Sequence, residues 1–495
     1  VSDALLISAA LLLPLVVSAL VGLLGRNPNA RDTTMVATGA LLLPIVAMLV
    51  PRVAAGERPE LVLFNMVPGA SIAFEVEPLG LVFALVAAAL WPVTAMYGVG
   101  YLRGHHEDNQ TRFFIFFSGA ISAAIGVAFA ANLVTLFVFY EVLTLSTYPL
   151  VTHHQDDEAH RAGRIYLGIL LSTSVGLLLL GIVWTWTLAG TTEFRPGGIL
   201  AGKIDGWPLA ALLGLYAYGI GKAGLMPVHR WLPNAMVAPT PVSALLHAVA
   251  VVKAGVFSVL KVVVYVFGIE LLTSSEMSVW LMYAAAYTML MGSIVAMTKD
   301  NLKERLAYST IAQLAYIVLG AALASPEGII GGGMHIAMHA FGKITLFFCA
   351  GAIYVAAHKK NISEMDGLGR AMPLTYLAFT IGALSVIGLP PCGGSWSKLY
   401  LGLGAAAAGQ PLLVGAFMLS SLFNIYYLMD VVFRGVFLDP PEPHHDDHHD
   451  GDHHHHEPAE ASTLTLVPPL ISAAGCIVLF FVQDPIARFL APLVM

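Results

Sequence analysis

The stretch Gly219-Ile220-Gly221-Lys222-Ala223-Gly224, followed by Pro227 and Pro233, lies inside an apolar run from 207 to 236. A run of that length reads as a membrane crossing, which needs about 20 mostly apolar residues. Glycine and proline free backbone groups there. Non-helical backbone at membrane depth is tolerated only where it is buried in protein or lines a cavity. A lysine in the same place costs about 2.5–3.5 kcal/mol on insertion scales. The same combination recurs in the run 373–407, where Gly388-Leu389-Pro390-Pro391-Cys392-Gly393-Gly394-Ser395-Trp396-Ser397 leads to Lys398. Broken helices in corresponding places of two halves are the usual sign of an inverted-repeat transporter.

Working outward, the 495-residue chain is 57% hydrophobic and 11% charged, with a mean hydropathy of +0.78. Soluble domains carry about 25% charge, so a soluble enzyme is excluded. Fourteen apolar runs predict an all-α polytopic membrane protein: 4–25, 34–51, 78–101, 112–130, 132–151, 163–188, 207–236, 242–267, 277–298, 305–324, 329–357, 373–407, 411–437 and 463–490. The first is longer than a signal-peptide core and has no basic residue before it, so it reads as a retained helix. Segment 52–77 alternates apolar and polar residues around Pro68-Gly69, predicting a hairpin outside the membrane. The expected organisation is 1–111 (helices 1–3 with the hairpin), 112–268 and 277–437 (two inverted five-helix repeats, helices 4–8 and 9–13, each with a broken helix), 438–462 (a loop) and 463–495 (helix 14). The two blocks share little sequence identity.

Lysine and arginine set orientation. The odd-numbered connections carry 14 of them, from Arg26 to Arg434. The even connections and termini carry six: Arg52, Arg58, Arg195, Lys203, Lys261 and Arg488. Both termini are therefore expected outside a cell inner (cytoplasmic) membrane.

Four lysines, Lys222, Lys253, Lys343 and Lys398, and one acid, Glu141, fall within spans. Such charges must pair, face a wet cavity or change protonation state. One alone could simply glue helices together. Together with nearby histidines they point to a proton relay. His335, His339 and Lys343 are spaced four and four, which places them on one helical face. His247 and Lys253 are six apart, roughly 120° around a helix, and could meet through water. Histidine holds or releases a proton near neutral pH.

The run from Gly221-Lys222-Ala223-Gly224 through Met226-Pro227-Val228-His229-Arg230-Trp231-Leu232-Pro233 and Pro239-Thr240-Pro241-Val242-Ser243 to His247, with Val252-Lys253-Ala254-Gly255, strongly resembles the antiporter-like subunits of respiratory complex I. It resembles equally their relatives, the Mrp-type multisubunit cation/proton antiporters and membrane-bound hydrogenases. Tyr140-Glu141-Val142-Leu143-Thr144, Asn301-Leu302-Lys303-Glu304-Arg305-Leu306-Ala307-Tyr308-Ser309-Thr310 and Leu389-Pro390-Pro391 match as well. The resemblance implies that Glu141 pairs with Lys222, that Lys253, helped by His247, connects the halves, that His335, His339 and Lys343 form a central polar axis, and that Lys398 is the terminal site. It implies other membrane subunits of a hetero-oligomeric complex as partners, protons as cargo with sodium or potassium open, and no cofactor. The stretch Met236–Ser243 looks most like the subunit-D-like and hydrogenase-associated branches. The L-like branch has a long lateral helix after span 14, and this sequence ends at Met495, which sets the expectation against it.

The implied function is a charge-switched proton relay in a cation/proton antiporter, subunit-D-like, with a proton- or sodium-pumping subunit of a complex I-like or hydrogenase complex as the alternative. A lysine whose counter-ion is withdrawn in an apolar site gives up its proton more readily. No chemistry is expected in this chain, and a direct quinone enzyme or a scaffold are the rival classes. Cys349, Cys392 and Cys476 stand alone in apolar runs, with no metal spacing. There is no phosphate loop, haem-attachment motif or nucleic-acid patch. From Asp439 to Glu460 run eight acids and eight histidines with no Lys or Arg. This reads as a solvated spacer, with metal or proton buffering as the functional alternative. His153, His154, Asp156, Asp157, Glu158 and His160 read as a solvated loop, with proton entry as the rival use. Asp430 and Arg434 read as a structural helix pair.

Overall fold

The computed structural model describes residues 2–67, 70–440 and 459–494. The His/acid-rich segment, between Pro440 and Ala459, and the Pro68-Gly69 turn lie outside the described residues. Among the described residues, eleven helices are long and apolar enough to cross a membrane, from Asp3–Leu23 to Thr463–Phe481. The three other expected crossings differ for physical reasons. Helix Leu302–Ala322 opens on Lys303, Glu304 and Arg305 and carries Ser309, Thr310 and Gln313 in its length. The runs at 207–236 and 373–407 are not continuous helices.

Helix Gly206–Gly219 stops at Ile220, where a three-residue turn, Gly221–Ala223, carries Lys222. Gly224 then adopts φ +70°, a conformation that favours glycine. Short turns follow until Thr240 opens the next long helix. The second break is built differently. Helix Pro373–Ile387 ends at Gly388 (φ +92°), and a second helical half, Gly394–Ala407, holds Lys398 one turn in. The last expected crossing also divides: Thr463–Phe481 is followed by a separate helix, Gln483–Leu490. Pro485 has no N–H to give the Phe481 carbonyl, so the helical ladder is interrupted there.

The helix Thr240–Phe267 is buried throughout and forms the centre of the molecule. Helix Pro326–Ala357 packs against it, whereas Asp3–Leu23 and Pro28–Ala54 are peripheral. Large apolar side chains such as Leu412, Met418 and Phe437 stay exposed on the rim, as expected where lipid or another apolar surface replaces water. The hairpin is present: Glu60–Val67 pairs antiparallel with Ala70–Glu75, Glu60 opposite Glu75. The bridge Phe74–Ala130 ties it to the connection at 130–132, and the bridge Asn132–Glu193 ties that connection to a further one.

Lys261, counted from sequence among the external cations, is inside helix Val251–Val262 and 1% exposed. Its ammonium lies 3.4 Å from Glu77 Oε1 and donates to the Ala130 carbonyl (2.8 Å). Glu77 also caps helix Pro78–Gly104, accepting from Leu79 and Gly80 N–H at 2.7 Å each, and accepts from Tyr265 Oη at 3.1 Å. Removing one partner of a buried ion pair leaves an uncompensated charge. Glu77→Ala should therefore cost about 3–5 kcal/mol, read as a lower Tm of the detergent-solubilised protein. Adding Lys261→Met should recover part of that loss. An unchanged Tm in Glu77→Ala would show the pair to be dispensable.

Candidate functional site

Of the lysines expected within the membrane, Lys222, Lys253 and Lys343 are fully buried and Lys398 is half-buried, and each is held by groups of a particular kind. Lys222 Nζ donates to the Tyr140 carbonyl (2.9 Å) and Thr144 Oγ1 (2.6 Å), and it lies over the Tyr140 ring. The backbone N–H of Lys222 donates to Tyr140 Oη at 3.0 Å. The broken backbone is packed directly on the central helix: a Cβ at Gly255 would sit 2.4 Å from the Lys222 carbonyl carbon. Only glycine permits that approach.

Glu141 and Lys222, expected as a pair, approach each other without joining. Among the described residues Glu141 forms no ion pair within 4.0 Å, and neither carboxylate oxygen, both buried, has a hydrogen-bond partner. Geometry explains this. Lys222 reaches helix Leu133–Val151 on the face of Tyr140 and Thr144, and Glu141 is one residue, about 100°, further round.

His247 lies in a π-turn, Leu245–Val249, within the central helix. Such turns are frequent at functional sites. Its ring is 4.7 Å from that of Phe347, and neither ring nitrogen has a partner among the described residues. Lys253 meets a different histidine: its Nζ contacts His339 Nδ1. His339 stacks on His335, with ring centroids 5.7 Å apart. His335 Nε2 faces Gln313 Oε1 at 3.1 Å, and its Nδ1 shares a hydrogen bond with Ser397 Oγ at 2.8 Å. A carbonyl oxygen only accepts, so Nε2 is the protonated nitrogen and Nδ1 is free to accept from Ser397.

Asn424 joins these groups to the two remaining lysines. Turned so that both amide atoms are satisfied, its oxygen accepts from Gln313 Nε2 (2.8 Å) and Lys398 Nζ (3.1 Å), and its nitrogen donates to Tyr427 Oη. Tyr427 Oη donates to Ser309 Oγ (2.7 Å), which also accepts from Lys343 Nζ (2.6 Å). Lys398 Nζ donates in addition to the Ile387 carbonyl (3.0 Å) and Ser421 Oγ (3.3 Å) and lies 4.5 Å from the Tyr316 ring centre. Tyr316 stacks on His335.

The arrangement therefore brings Lys253, His339, His335, Lys343 and Lys398 into one connected set. Lys222 and Glu141 form a second group, with Gly255 linking its backbone to the central helix. His247 lies against Phe347 and hydrogen-bonds to neither group among the described residues. Sequence reading missed Gln313, Asn424, Tyr316 and Tyr427 because it sought ionised groups. The available signal was an amide, Gln313 or Asn424, in the middle of an apolar run. Chemically the set can hold and pass protons. Among the described residues no group of three metal-ligating side chains occurs.

Known proteins resemble this chain in sequence and in fold. A family model described as NADH:quinone oxidoreductase/Mrp antiporter, transmembrane, matches residues 130–424. NADH-quinone oxidoreductase subunit N of Desulforudis audaxviator is 30% identical over 481 residues, covering 96% of this chain and 95% of that protein. Of other curated relatives, such as the NAD(P)H-quinone oxidoreductase chain 5 of Synechocystis, the chain spans about half the length (51%). Two solved structures share the fold: the Mrp complex from Dietzia (TM-score 0.85, 22% identity, 99% of this chain and 97% of that one) and the archaeal membrane-bound sulfane sulfur reductase (TM-score 0.84, 23%, 98% and 96%).

The amide bridge yields a stability test. Gln313→Leu and Asn424→Leu each leave buried polar partners unsatisfied, a cost of about 1–3 kcal/mol. Because the two amides bond each other, the double variant should lose less than the sum of the singles, by about 0.5–3 kcal/mol. Tm measurements in detergent on the four proteins read this coupling. Strict additivity would show that the bridge does not form.

Proposed function

We propose a function on one premise: the chain belongs to the NADH:quinone oxidoreductase/Mrp antiporter transmembrane family. It is a proton-translocating, antiporter-like subunit of a multisubunit complex in the cell inner membrane, with both termini outside. Its own residues move protons, and other membrane subunits supply the trigger. The observation that carries this reading is the connected set of buried lysines and histidines held by neutral partners. A lysine held by a carbonyl, hydroxyl or imidazole can surrender its proton without leaving a carboxylate stranded.

In the state described, Lys222 rests on Tyr140 and Thr144, apart from Glu141. When Glu141 swings to Lys222 it holds the lysine protonated, and separation releases the proton inward. From Lys253 the proton passes to His339 and His335. Amide side chains do not readily carry protons, so Gln313 and Asn424 fix the geometry. The step to Lys398 runs through the Ser397 hydroxyl or water. The two halves, 112–268 and 277–437, each contribute one broken helix to this path.

Within the family we favour a cation/proton antiporter role, subunit-D-like, on the text of Met236–Ser243. The alternative is a pumping subunit of a complex I-like or hydrogenase-type redox complex. The 30% identity to a quinone oxidoreductase subunit over nearly the whole chain favours that alternative.

The test is proton or cation flux in vesicles holding the intact complex. Lys222→Ala and Glu141→Ala should each lower flux by about a hundredfold or more, the scale of losing a positioned proton carrier, while assembly persists. Sodium or potassium dependence of the wild-type signal would favour the antiporter. Dependence on a redox substrate would favour the pump. Full flux in both variants would make the chain a scaffold.

A further inference from the structure

A cavity of about 530 Å3 opens on the face formed by the odd-numbered connections. At its wall a buried carboxylate meets two imidazoles. Glu107, with its side chain 8% exposed, lies 3.1 Å from His105 Nδ1 and 3.6 Å from His154 Nδ1. We propose that Glu107, with His105 and His154, is the proton-loading group of a vestibule that feeds His247. This rests on the proton-translocating reading above and adds an entrance to it.

The charges around the group suit that task. Asp156, Glu158 and Glu304 line the cavity and favour approach of a hydronium or protonated buffer. Arg161, Lys303, Lys359 and Lys360 line it too, so acids and bases are interleaved around the opening. Burial, with Arg112 close by, pushes the adjacent His153 down to about 4, so that imidazole stays neutral and is not the loading group. Lys303 lies within coulombic range of both Glu107 and His247 and so links cavity and interior electrostatically.

A polar stripe leads inward. Thr240, on the cavity wall, opens the central helix. Ser243 and His247 follow at three and seven residues, on roughly the same face. Both are fully buried, and neither Ser243 Oγ nor the two His247 nitrogens has a partner among the described residues. The same holds for His339 Nε2, next in line. Buried polar atoms are normally paired with protein or ordered water, so a row of them beside an open polar cavity marks a path that water can serve.

The test compares wild type and Glu107→Gln in vesicles holding the intact complex, with pH and buffer varied on the vestibule side. In dilute buffer at alkaline pH, Glu107→Gln should be slower by about tenfold. The loss should shrink at acid pH, where protons are abundant. Imidazole buffer, small enough for the cavity, should restore the rate, and Glu107→Asp should remain close to wild type. Should Glu107→Gln fail to assemble, His154→Gln takes its place with a smaller loss and the same rescue. A wild-type rate across pH overturns the proposal. So does a loss that neither acid pH nor imidazole relieves, which is what a merely structural role would give. Lys222→Ala in the same membranes separates the two levels. If it blocks flux while Glu107→Gln does not, only the vestibule falls; if flux survives it, the relay itself fails.

Discussion

A lysine ammonium buried at membrane depth must be hydrogen-bonded, and the kind of partner decides what it can do. Lys222, Lys343 and Lys398 are held by carbonyls and hydroxyls, and Lys253 by an imidazole. None of these partners carries a fixed negative charge, so each lysine can exist with or without its proton. Lys261 is the counter-example. It faces Glu77, whose oxygens also bind two backbone N–H groups and a tyrosine. Loss of the proton there would strand a buried carboxylate. The same residue type on the same helix thus meets an imidazole at 253 and a carboxylate at 261.

The two breaks solve one problem in two ways. In the first, the lysine sits in the break itself, so its backbone N–H is available and Tyr140 Oη takes it. In the second, the lysine is one turn into a resumed helix, and the freed Ile387 carbonyl reaches it instead. Both use the unsatisfied groups of a helix end as ligands for the side chain. The glycines at the breaks are therefore parts of the binding sites as well as interruptions of the helix.

Much of this was legible in the sequence. Apolar runs of about membrane length revealed most crossings, because lipid leaves few alternatives to a helix. Lysines and histidines inside them pointed to the candidate site, because such residues are costly without a purpose. The four-and-four spacing did place His335, His339 and Lys343 on one helix, but their partners are set by helices distant in sequence. Ser309, Gln313, Ser397 and Asn424 are ordinary polar residues until packing brings them together. Lys261 was misread for the same reason: its acid lies 184 positions earlier, at Glu77. Glu141 shows the opposite limit, since adjacency to Tyr140 in sequence hides a difference of about 100° in direction.

The contact at Gly255 has a mechanical consequence. The backbone around Lys222 rests on this glycine, and Lys253 projects from the same helix two residues earlier. Packed interiors do not deform continuously, so the broken segment cannot shift against the central helix by a fraction of an ångström without disturbing the neighbourhood of Lys253. The two lysines therefore share a single rigid mount. Any movement imposed on the broken segment is therefore passed directly to the axis of the molecule.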